Sequence, residues 1–587
     1  VVEIEDHHWA DPALLALLEY LADRTAGPVL FVCTARPELA DKAPGWGGGQ
    51  RSFSGIMLDP LTDEQASRLV SLLLRIDEMP ASVRSQILRR SDGNPFFIEE
   101  ILRQLIDERC IVRSGDRWKA VERIANVQIP DTVQAVVAAR LDLLSTAEKR
   151  SLQCAAVVGR VFWTGSVASL LEVGEPQVTG LLDQLEHRDL IVARLGSTLD
   201  QQQEYSFKHT VIRDVAFDSL SLRERTDLHR RAADWVKDTF GDRRRELIEV
   251  LAYHLSQAHA GLRDDPSADQ NELEQIRREA LTYLLLASEY AKLRIALDSA
   301  RRLARDGHRL AATAGEKAQA LEALGEAYFF GHEGDAAWEN LRAAIDLYLE
   351  EGHRTSADLA RVCARALQSP VRWPGSMQSV PPEADVHRYL QIGYAHTGES
   401  DTPERAGLLT LEAFWPHAFP RPQERTHEAL VSAERSLTAG EQAVTMARRL
   451  GRPDLESAAL DGVGANYIAL GRYLRALEGV NRRLELCAEI DDIWEVGDAH
   501  AMGGWINFHL GRYREALSSA ERGFGITATR LPSVAIHCLS WRAQARFRLG
   551  DWDGVLADLG LASEMLGERG DTPPHYISAM HAAAALV

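Results

Sequence analysis

The pattern of apolar and polar positions changes character twice along the chain. Over residues 1–110, apolar runs of strand length alternate with helical spacing. Residues 1–4 form a short run with β-branched members, and acids follow it. Asp11 can cap a helix with Pro12 at its first position. Leu14, Leu17, Leu18 and Leu21 then recur at the spacing of one helix face, and Gly27-Pro28 ends the pattern. Residues 29–33 are continuously apolar, which predicts a strand buried on both faces. Residues 45–49 read as a glycine-rich loop. Thr62-x-x-Gln65 is a capping box opening a further helix. Asn94 caps another, with Pro95 at its first position, running towards Arg109. The alternation predicts a parallel α/β sheet, of which this stretch supplies the second half.

Residues 111–260 read differently. Ser145-x-x-Glu148 is a capping box ahead of a helix through residues 152–158. Helices follow over 166–171 and 177–187, then two short strand-like stretches at 190–195 and 204–208 around a polar turn. Three helices and a two-stranded ribbon make a winged-helix plan, closed by an amphipathic helix over about 222–239. The polar stretch 264–271 reads as a linker.

From about residue 275 the pattern is helical throughout, and near the C-terminus it repeats. Leu470-Gly-Arg-Tyr473, Leu510-Gly-Arg-Tyr513 and Leu549-Gly-Asp-Trp552 align at spacings of about 40 residues. Seven positions before each glycine stands a small residue (Gly464, Gly504, Ala543), and five after it stands Ala476, Ala516 or Val555. Small residues at those offsets let two antiparallel helices approach across a short turn, and such pairs bury their apolar faces by stacking into a solenoid. A degenerate earlier unit is expected between Tyr328 and Tyr348. Residues 369–383 hold four prolines and predict a loop that breaks the array, interrupted near 369–405.

Composition narrows the function classes. The chain has 587 residues, a length that suggests about four domains, with 45% hydrophobic and 26% charged residues. Asp and Glu number 86 against 66 Lys and Arg, a net charge of −20, which argues against binding to phosphate backbones. No apolar run has the roughly 18 residues of a membrane span. Six scattered cysteines without a C-x-x-C predict a reduced, cytoplasmic setting rather than disulfides or zinc. An opening Val1 and a last stretch that reads as mid-helix predict a fragment.

Four segments could carry chemistry. Val1 to Asp6 is an apolar strand ending in Glu5 and Asp6, the form of a Walker B segment. There one carboxylate holds Mg²⁺ and the next polarises attacking water, which gives Glu5 the metal role and Asp6 the water role. Phe31 to Pro37 is an apolar strand running into Thr34 and Arg36; ligands of open parallel sheets bind at strand carboxyl ends, so Arg36 could meet a γ-phosphate. In Gly93-Asn-Pro95 the proline ring could pack on a base. In Phe207-Lys-His209 the histidine could contact a β-phosphate. Each has a plainer reading: a solvated turn, a surface arginine, a helix start and a structural histidine. The helix at 177–190 carries Asp183, Glu186 and Asp189 against Arg188 alone, so the winged helix is expected to pack rather than to read DNA.

In this order, Glu5-Asp6 with His8-Trp9-Ala10-Asp11, Thr34-Ala-Arg-Pro37, Gly93-Asn-Pro95 and Phe207-Lys-His209 resemble the signal-transduction ATPases with numerous domains. The likeness is to the AAA-like P-loop modules of large bacterial regulators, fused to class III adenylate/guanylate cyclases or to LuxR-type DNA-binding domains. It covers roughly residues 1–260, while the repeats agree in kind. The sequence departs from the family in holding no G-x-x-x-x-G-K-[ST] phosphate loop. The resemblance implies a fold that is mainly α with an α/β N-terminal part. Residues 1–110 would be a partial P-loop ATPase sheet, 111–260 a helical and winged-helix module, and 275–587 an α-solenoid of tetratricopeptide-like repeats. It also implies ATP or ADP and Mg²⁺ as cofactors once a phosphate loop is present, with Glu5 and Asp6 catalytic, Glu5 on the metal, and Arg36, Pro95 and His209 on the nucleotide. A protein or small-molecule ligand would bind the repeats, self-association stays open, and no membrane or nucleic-acid partner is expected. The output would be a cyclase, with a LuxR-type regulator or a non-catalytic scaffold as alternatives. The chain without its phosphate loop is expected to be inactive as an ATPase.

Overall fold

The computed structural model describes the chain apart from residues 26, 48–52, 75–79, 115–116, 122–123, 125–129, 195, 198, 200–201, 241–246, 352–355, 421–425, 491, 529–530 and 568–576. Part of the expected glycine-rich loop (48–49) and of the polar turn after 194 lies outside the described residues. The chain divides into two compact units, Val1–Ile276 and Arg277–Val587.

In the first unit, β1 (Val2–Ile4) pairs in parallel with β2 (Phe31–Cys33), Val2 opposite Phe31 and Ile4 opposite Cys33. The crossover is the helix Pro12–Arg24, capped by Asp11, whose Oδ1 accepts from the Leu14 N–H at 2.7 Å. Residues 31–33 form the expected strand, but burial on both faces is not found. Val29, Leu30 and Val32 are 45%, 58% and 42% exposed, because among the described residues this sheet has two strands and no layer closing both faces. The Thr62–Gln65 capping box is reciprocal, at 3.0 and 3.3 Å, and opens the helix Asp63–Leu74. That helix packs with Ala81–Ser91 and Pro95–Asp107 around Val70, Ile87, Ile98, Ile101 and Leu105.

A hairpin of β3 (Ile111–Ser114) and β4 (Arg117–Ala120) follows, then the helix Val133–Asp142. The Ser145–Glu148 capping box starts Thr146–Val158, and Thr164–Leu171 and Glu175–His187 come after it. Three strands form an antiparallel sheet in the order β5 (Val161–Trp163), β7 (Glu204–Phe207), β6 (Ile191–Ala193). Sequence patterning missed β5. Phe162, Leu182, Leu185, Tyr205, Phe207 and Ile212 fill the core between this sheet and its helices. The helices Leu222–Phe240 and Ile248–Arg263 then pack together, meeting through a buried pair, His229 Nδ1 and His254 Nδ1 at 2.8 Å.

The second unit is a helical-repeat solenoid. The motif-bearing pairs are Pro453–Ala469 with Tyr473–Leu486, Ile493–His509 with Tyr513–Thr527, and Pro532–Leu549 with Trp552–Gly567. Gly471, Gly511 and Gly550 end each first helix at φ +71°, +74° and +81°, the left-handed turn that glycine adopts without strain. Ala476, Ala516 and Val555 are fully buried. A Cβ on Gly504 would come 3.2 Å from Trp541 Cβ, whereas Gly464 has nothing within 4 Å, so the close approach expected at every pair is not needed there.

The degenerate unit is the pair Ala314–Phe330 and Gly334–Glu351. Its turn residue is His332, at φ +61°. Gly325 and the fully buried Ala337 stand at the same two offsets from it, and a Cβ on Gly325 would lie 2.6 Å from Leu341 Cγ. A further turn at Ile295, φ +60°, joins Gln270–Leu293 to Leu297–Leu310.

Only the later part of the segment 369–383 is the expected loop, with Gln378, Ser379 and Val380 exposed. Gln368–Arg372 is a π-helical turn with Ser369, Pro370 and Val371 buried, followed by the 3₁₀ turn Pro374–Ser376. The helix Glu383–Ala395 begins directly after it, within the expected interruption. The turn carries Arg372 into the interior, where it meets Glu495 Oε1 at 2.6 Å and Asp461 Oδ2 at 3.2 Å. Arg483, fully buried, binds Asp461 at 2.8 Å, Asp498 at 2.7 Å and Glu495 at 3.3 Å. Two guanidiniums thus face three carboxylates. Burial, together with Asp498 and Glu495, outweighs the attraction of Arg483 and Arg372, and the Asp461 carboxyl is pushed up to about 6.

Candidate functional site at the carboxyl end of the parallel strands

The turn after β1 sets the site. Asp6 takes a left-handed conformation, φ +53°, ahead of a 3₁₀ turn, His7–Trp9. Its N–H donates to Thr34 Oγ1 at 3.2 Å, and the backbone N–H and ring Nδ1 of His7 both meet the Thr34 carbonyl at 2.9 Å. The Arg36 N–H donates to His8 Nδ1 at 3.3 Å, and the Lys42 ammonium donates to the carbonyls of His8 and Ala10. The loops following the two strands are therefore stitched to each other. Arg36 itself is exposed.

Glu5 and Asp6 point to a partner that sequence reading did not find. Arg160 Nη2 donates to Glu5 Oε2 at 2.9 Å, and its Nη1 donates to Asp6 Oδ2 at 2.7 Å. Arg160 lies just before β5, and its carbonyl accepts from the Phe207 N–H at 3.0 Å, so it is fixed to the strand that leads into His209. No local pattern marks it, since its partners are more than 150 residues away in sequence.

Gly93-Asn-Pro95 is a helix start, and each residue has a local reason. Gly93 sits at φ +71°, and a Cβ there would meet the Leu61 carbonyl oxygen at 2.3 Å, so only glycine fits the approach of these two backbones. The Asn94 side chain accepts from the N–H groups of Phe96 and Phe97 at 3.0 and 3.3 Å. Pro95 is exposed. The next ring, Phe96, packs on His209, with centroids 4.1 Å apart.

His209 precedes the helix Thr210–Asp218 and is half-buried, and its Nε2 is buried without a hydrogen-bond partner. Burial, then the nearby Lys208 and Arg103 cations, lower its pKa against the opposing pull of Glu99 and Glu5, so the ring is held neutral. Lys208 meets Glu99 at 2.9 Å and Asp189 at 3.6 Å, and Arg103 binds both of those acids. Burial alone would raise Glu99, but the hydrogen bonds from Lys208 and Arg103 hold it below its usual range. A second brace is buried: Arg140 binds Glu100 at 2.6 Å, Asp107 at 3.1 Å and the Arg188 carbonyl at 2.8 Å. The fold thus brings Glu5 and Asp6 to Arg160, and Phe96 to His209, and leaves Arg36 exposed. Among the described residues no group of three or more His, Cys, Asp or Glu could hold a metal by itself.

Known proteins resemble this chain in part. Residues 62–117 match the family model described as Domain of unknown function (DUF8739). An uncharacterized protein of Rhizobium meliloti (strain 1021), R02095, is 27% identical over 267 residues, which are 44% of this chain and 24% of that protein. The hybrid signal transduction histidine kinase G of Dictyostelium discoideum is 28% identical over 141 residues, 23% of this chain and 4% of that protein. The matched segments therefore span about a quarter or less of the curated relatives. Among solved structures, the Signal Transduction ATPase with Numerous Domains with a tetratricopeptide repeat sensor from Pyrococcus horikoshii aligns over 100% of this chain and 80% of its own, at 14% identity and a TM-score of 0.40. A Rap protein complexed with competence and sporulation factor aligns over 62% of this chain and 90% of its own, at 15% identity and a TM-score of 0.29. No helix among the described residues is long and apolar enough to cross a membrane.

Proposed function

We propose that this chain belongs to an ATP-dependent signal-transduction regulator in which nucleotide state and a ligand on the helical repeats together control an output, most simply an adenylate or guanylate cyclase. The observation that carries the reading is the convergence of two adjacent carboxylates, at the end of a parallel strand, with a helix start and a neutral histidine from a separate sheet module. In this reading residues 1–110 are the later half of a P-loop ATPase sheet, and residues 111–260 include a winged helix. The donor chemistry fits the cofactors. Carboxylate oxygens suit Mg²⁺, and two of them leave several coordination positions to phosphate oxygens and water. Mg²⁺, when bound, would neutralise phosphate charge. Glu5 would hold it, Asp6 would orient the attacking water and take its proton, and Arg36 and Pro95 would border the nucleotide. His209, neutral and with a buried nitrogen lacking a partner, would donate to the β-phosphate of ADP while the winged helix is docked.

The test uses a form of the protein in which a phosphate loop precedes these residues. Glu5→Gln and Asp6→Asn should each cut ATP hydrolysis by about 10²–10⁴-fold while binding, followed by calorimetry, changes little. Unchanged turnover in both variants would refute the assignment. One observation favours a second reading, a scaffold with a degenerate ATPase remnant: Arg160 already neutralises both carboxylates. A complete protein that shows no ATP binding would establish that alternative.

A further inference from the structure

Glu5 and Asp6 are adjacent in the chain, and in a continuing strand their side chains would point to opposite faces of the sheet. The left-handed conformation of Asp6, φ +53°, ends that alternation, and aspartate visits this region more readily than most residues. Both carboxylates can then serve one group. That group is Arg160, which reaches each acid through a different nitrogen, at 2.9 Å to Glu5 and 2.7 Å to Asp6.

The pairing is incomplete in charge and open to solvent. One guanidinium brings a single positive charge to two carboxylates, so the three groups together stay negative. The side chains of Arg160, Glu5 and Asp6 are 43%, 71% and 38% exposed. Ion pairs this exposed hold weakly and are readily exchanged. A divalent cation brings two charges to the same oxygens, at about 2.0–2.1 Å for Mg²⁺, and would stand beside the guanidinium as a like charge. Arg160 and the metal are competing occupants of one pair of acids.

Arg160 is also anchored at its backbone. It follows the helix Thr146–Val158 and its cap Gly159. Its carbonyl accepts from the Phe207 N–H at 3.0 Å, on the strand that leads through Lys208 to His209. The same module is held to the helix Pro95–Asp107 by Lys208 on Glu99 and by Arg103 on Asp189, so release of Arg160 need not unfold it.

On the reading above that these acids take Mg²⁺, we propose that Arg160 is a latch. It holds Glu5 and Asp6 while no metal is bound and is expelled when a divalent cation loads them, which transmits metal loading to the sheet that leads into His209. An acid pair answered by a displaceable arginine is not a degenerate one. The coupling is reciprocal: the factor by which the latch weakens metal binding is the factor by which metal weakens the latch.

Two measurements on the 587-residue chain test this. In the first, Mn²⁺ stands in for Mg²⁺ and the free ion is counted by electron paramagnetic resonance. The portion of binding lost in the double variant Glu5→Gln, Asp6→Asn belongs to the site, which sets aside ions drawn to a surface of net charge −20. Arg160→Gln should tighten that portion about fivefold with its melting curve held. Arg160→Lys, whose single ammonium lacks the fork that spans two acids, should tighten it about twofold. In the second, phenylglyoxal labels arginines and peptide mass spectrometry reads Arg160. Excess Mg²⁺ should speed its labelling about threefold in the wild type and leave the rate unchanged in the double variant. If Arg160→Gln binds Mn²⁺ no tighter than the wild type, or if Mg²⁺ leaves Arg160 labelling unchanged although the acids bind Mn²⁺, the latch is refuted and the metal reading stands. If neither the wild type nor Arg160→Gln shows Mn²⁺ binding that the double variant removes, both fall together.

Discussion

Replacing Arg483 by Met should destabilise the repeat unit more than any exposed arginine change can. Arg483 binds Asp461, Asp498 and Glu495 and donates to Ser457 Oγ at 3.3 Å, with none of its side chain exposed. Met keeps much of the volume, so packing loss is small; the cost is three buried carboxylates left to Arg372. Breaking a buried ion pair by removing one partner costs about 3–5 kcal/mol, which corresponds to a melting shift of roughly 5–15 °C in a unit of this size. Proton uptake limits the damage. Asp461 already titrates at about 6, above its ordinary 3.8, and losing Arg483 moves it higher. A carboxyl raised in the folded state contributes stability that is present below its unfolded pKa and lost as pH rises through the folded value. The variant's deficit should therefore be largest near pH 7.5 and shrink by about half near pH 5. Calorimetric melts at the two pH values provide the measurement. Arg482→Met is the control, since Arg482 pairs with Glu456 and Glu485 on the half-exposed side, where a loss below about 1 kcal/mol is expected. If Arg483→Met melts within the error of the control, the buried ionic cluster does not exist as described.

Two further outcomes follow from the geometry. Burial pushes His229 down to about 3, with His254 adding to the shift, and burial pushes His254 to about 4; stability from groups depressed in this way is present above their unfolded pKa of 6.5 and lost as pH falls towards the folded values. The first unit should lose roughly 2–4 kcal/mol between pH 7.5 and 5 in urea titrations, His254→Gln should flatten the loss, and a flat wild-type profile would refute the assignment. Gly325→Ala should cost about 1–3 kcal/mol by forcing a Cβ onto Leu341, whereas Gly464→Ala, with open space around it, should stabilise by about 0.5–1 kcal/mol; thermal melts of the two variants side by side would expose an error if their signs agreed.

The parts of the fold legible in the sequence are those with a local cause. Capping boxes at Thr62 and Ser145, the caps Asp11 and Asn94, and the turn glycines at 471, 511 and 550 all act within a few residues, and each stands where its pattern put it. Elements without such a cause were lost. β5 spans three residues between two helices, too short for any period to register. The hairpin was overlooked although Trp118 and Ala120 alternate with Lys119. The pair turning at Ile295 escapes a search for Leu-Gly because a non-glycine residue adopts the same left-handed turn, whereas the pair turning at His332 is legible from its flanking residues as a degenerate unit. Four prolines suggested a loop at 369–383, yet a π-helical turn accommodates Pro370 in the interior. Of the candidate site, the sequence offers Glu5, Asp6, Pro95 and His209 but not Arg160, Arg103 or Lys208 as their neighbours, because those contacts close only when distant segments dock.

The buried Arg372 has a consequence for how the repeat unit folds. An array of stacked helix pairs can nucleate anywhere and propagate by nearest-neighbour steps, with short loops and fast rates. Arg372 binds Asp461 across 89 residues and Glu495 across still more, and such a closure carries an entropic cost that grows with the logarithm of the loop. The pairs from Pro453 onward can form early by local contacts, while their buried carboxylates wait for a guanidinium delivered late from far upstream. Stopped-flow refolding should then show a fast helical phase and a slower one that Arg372→Met removes. A ribosome, which presents Arg372 before the acids are made, would synthesise the segments in the opposite order to the one that refolding from denaturant favours.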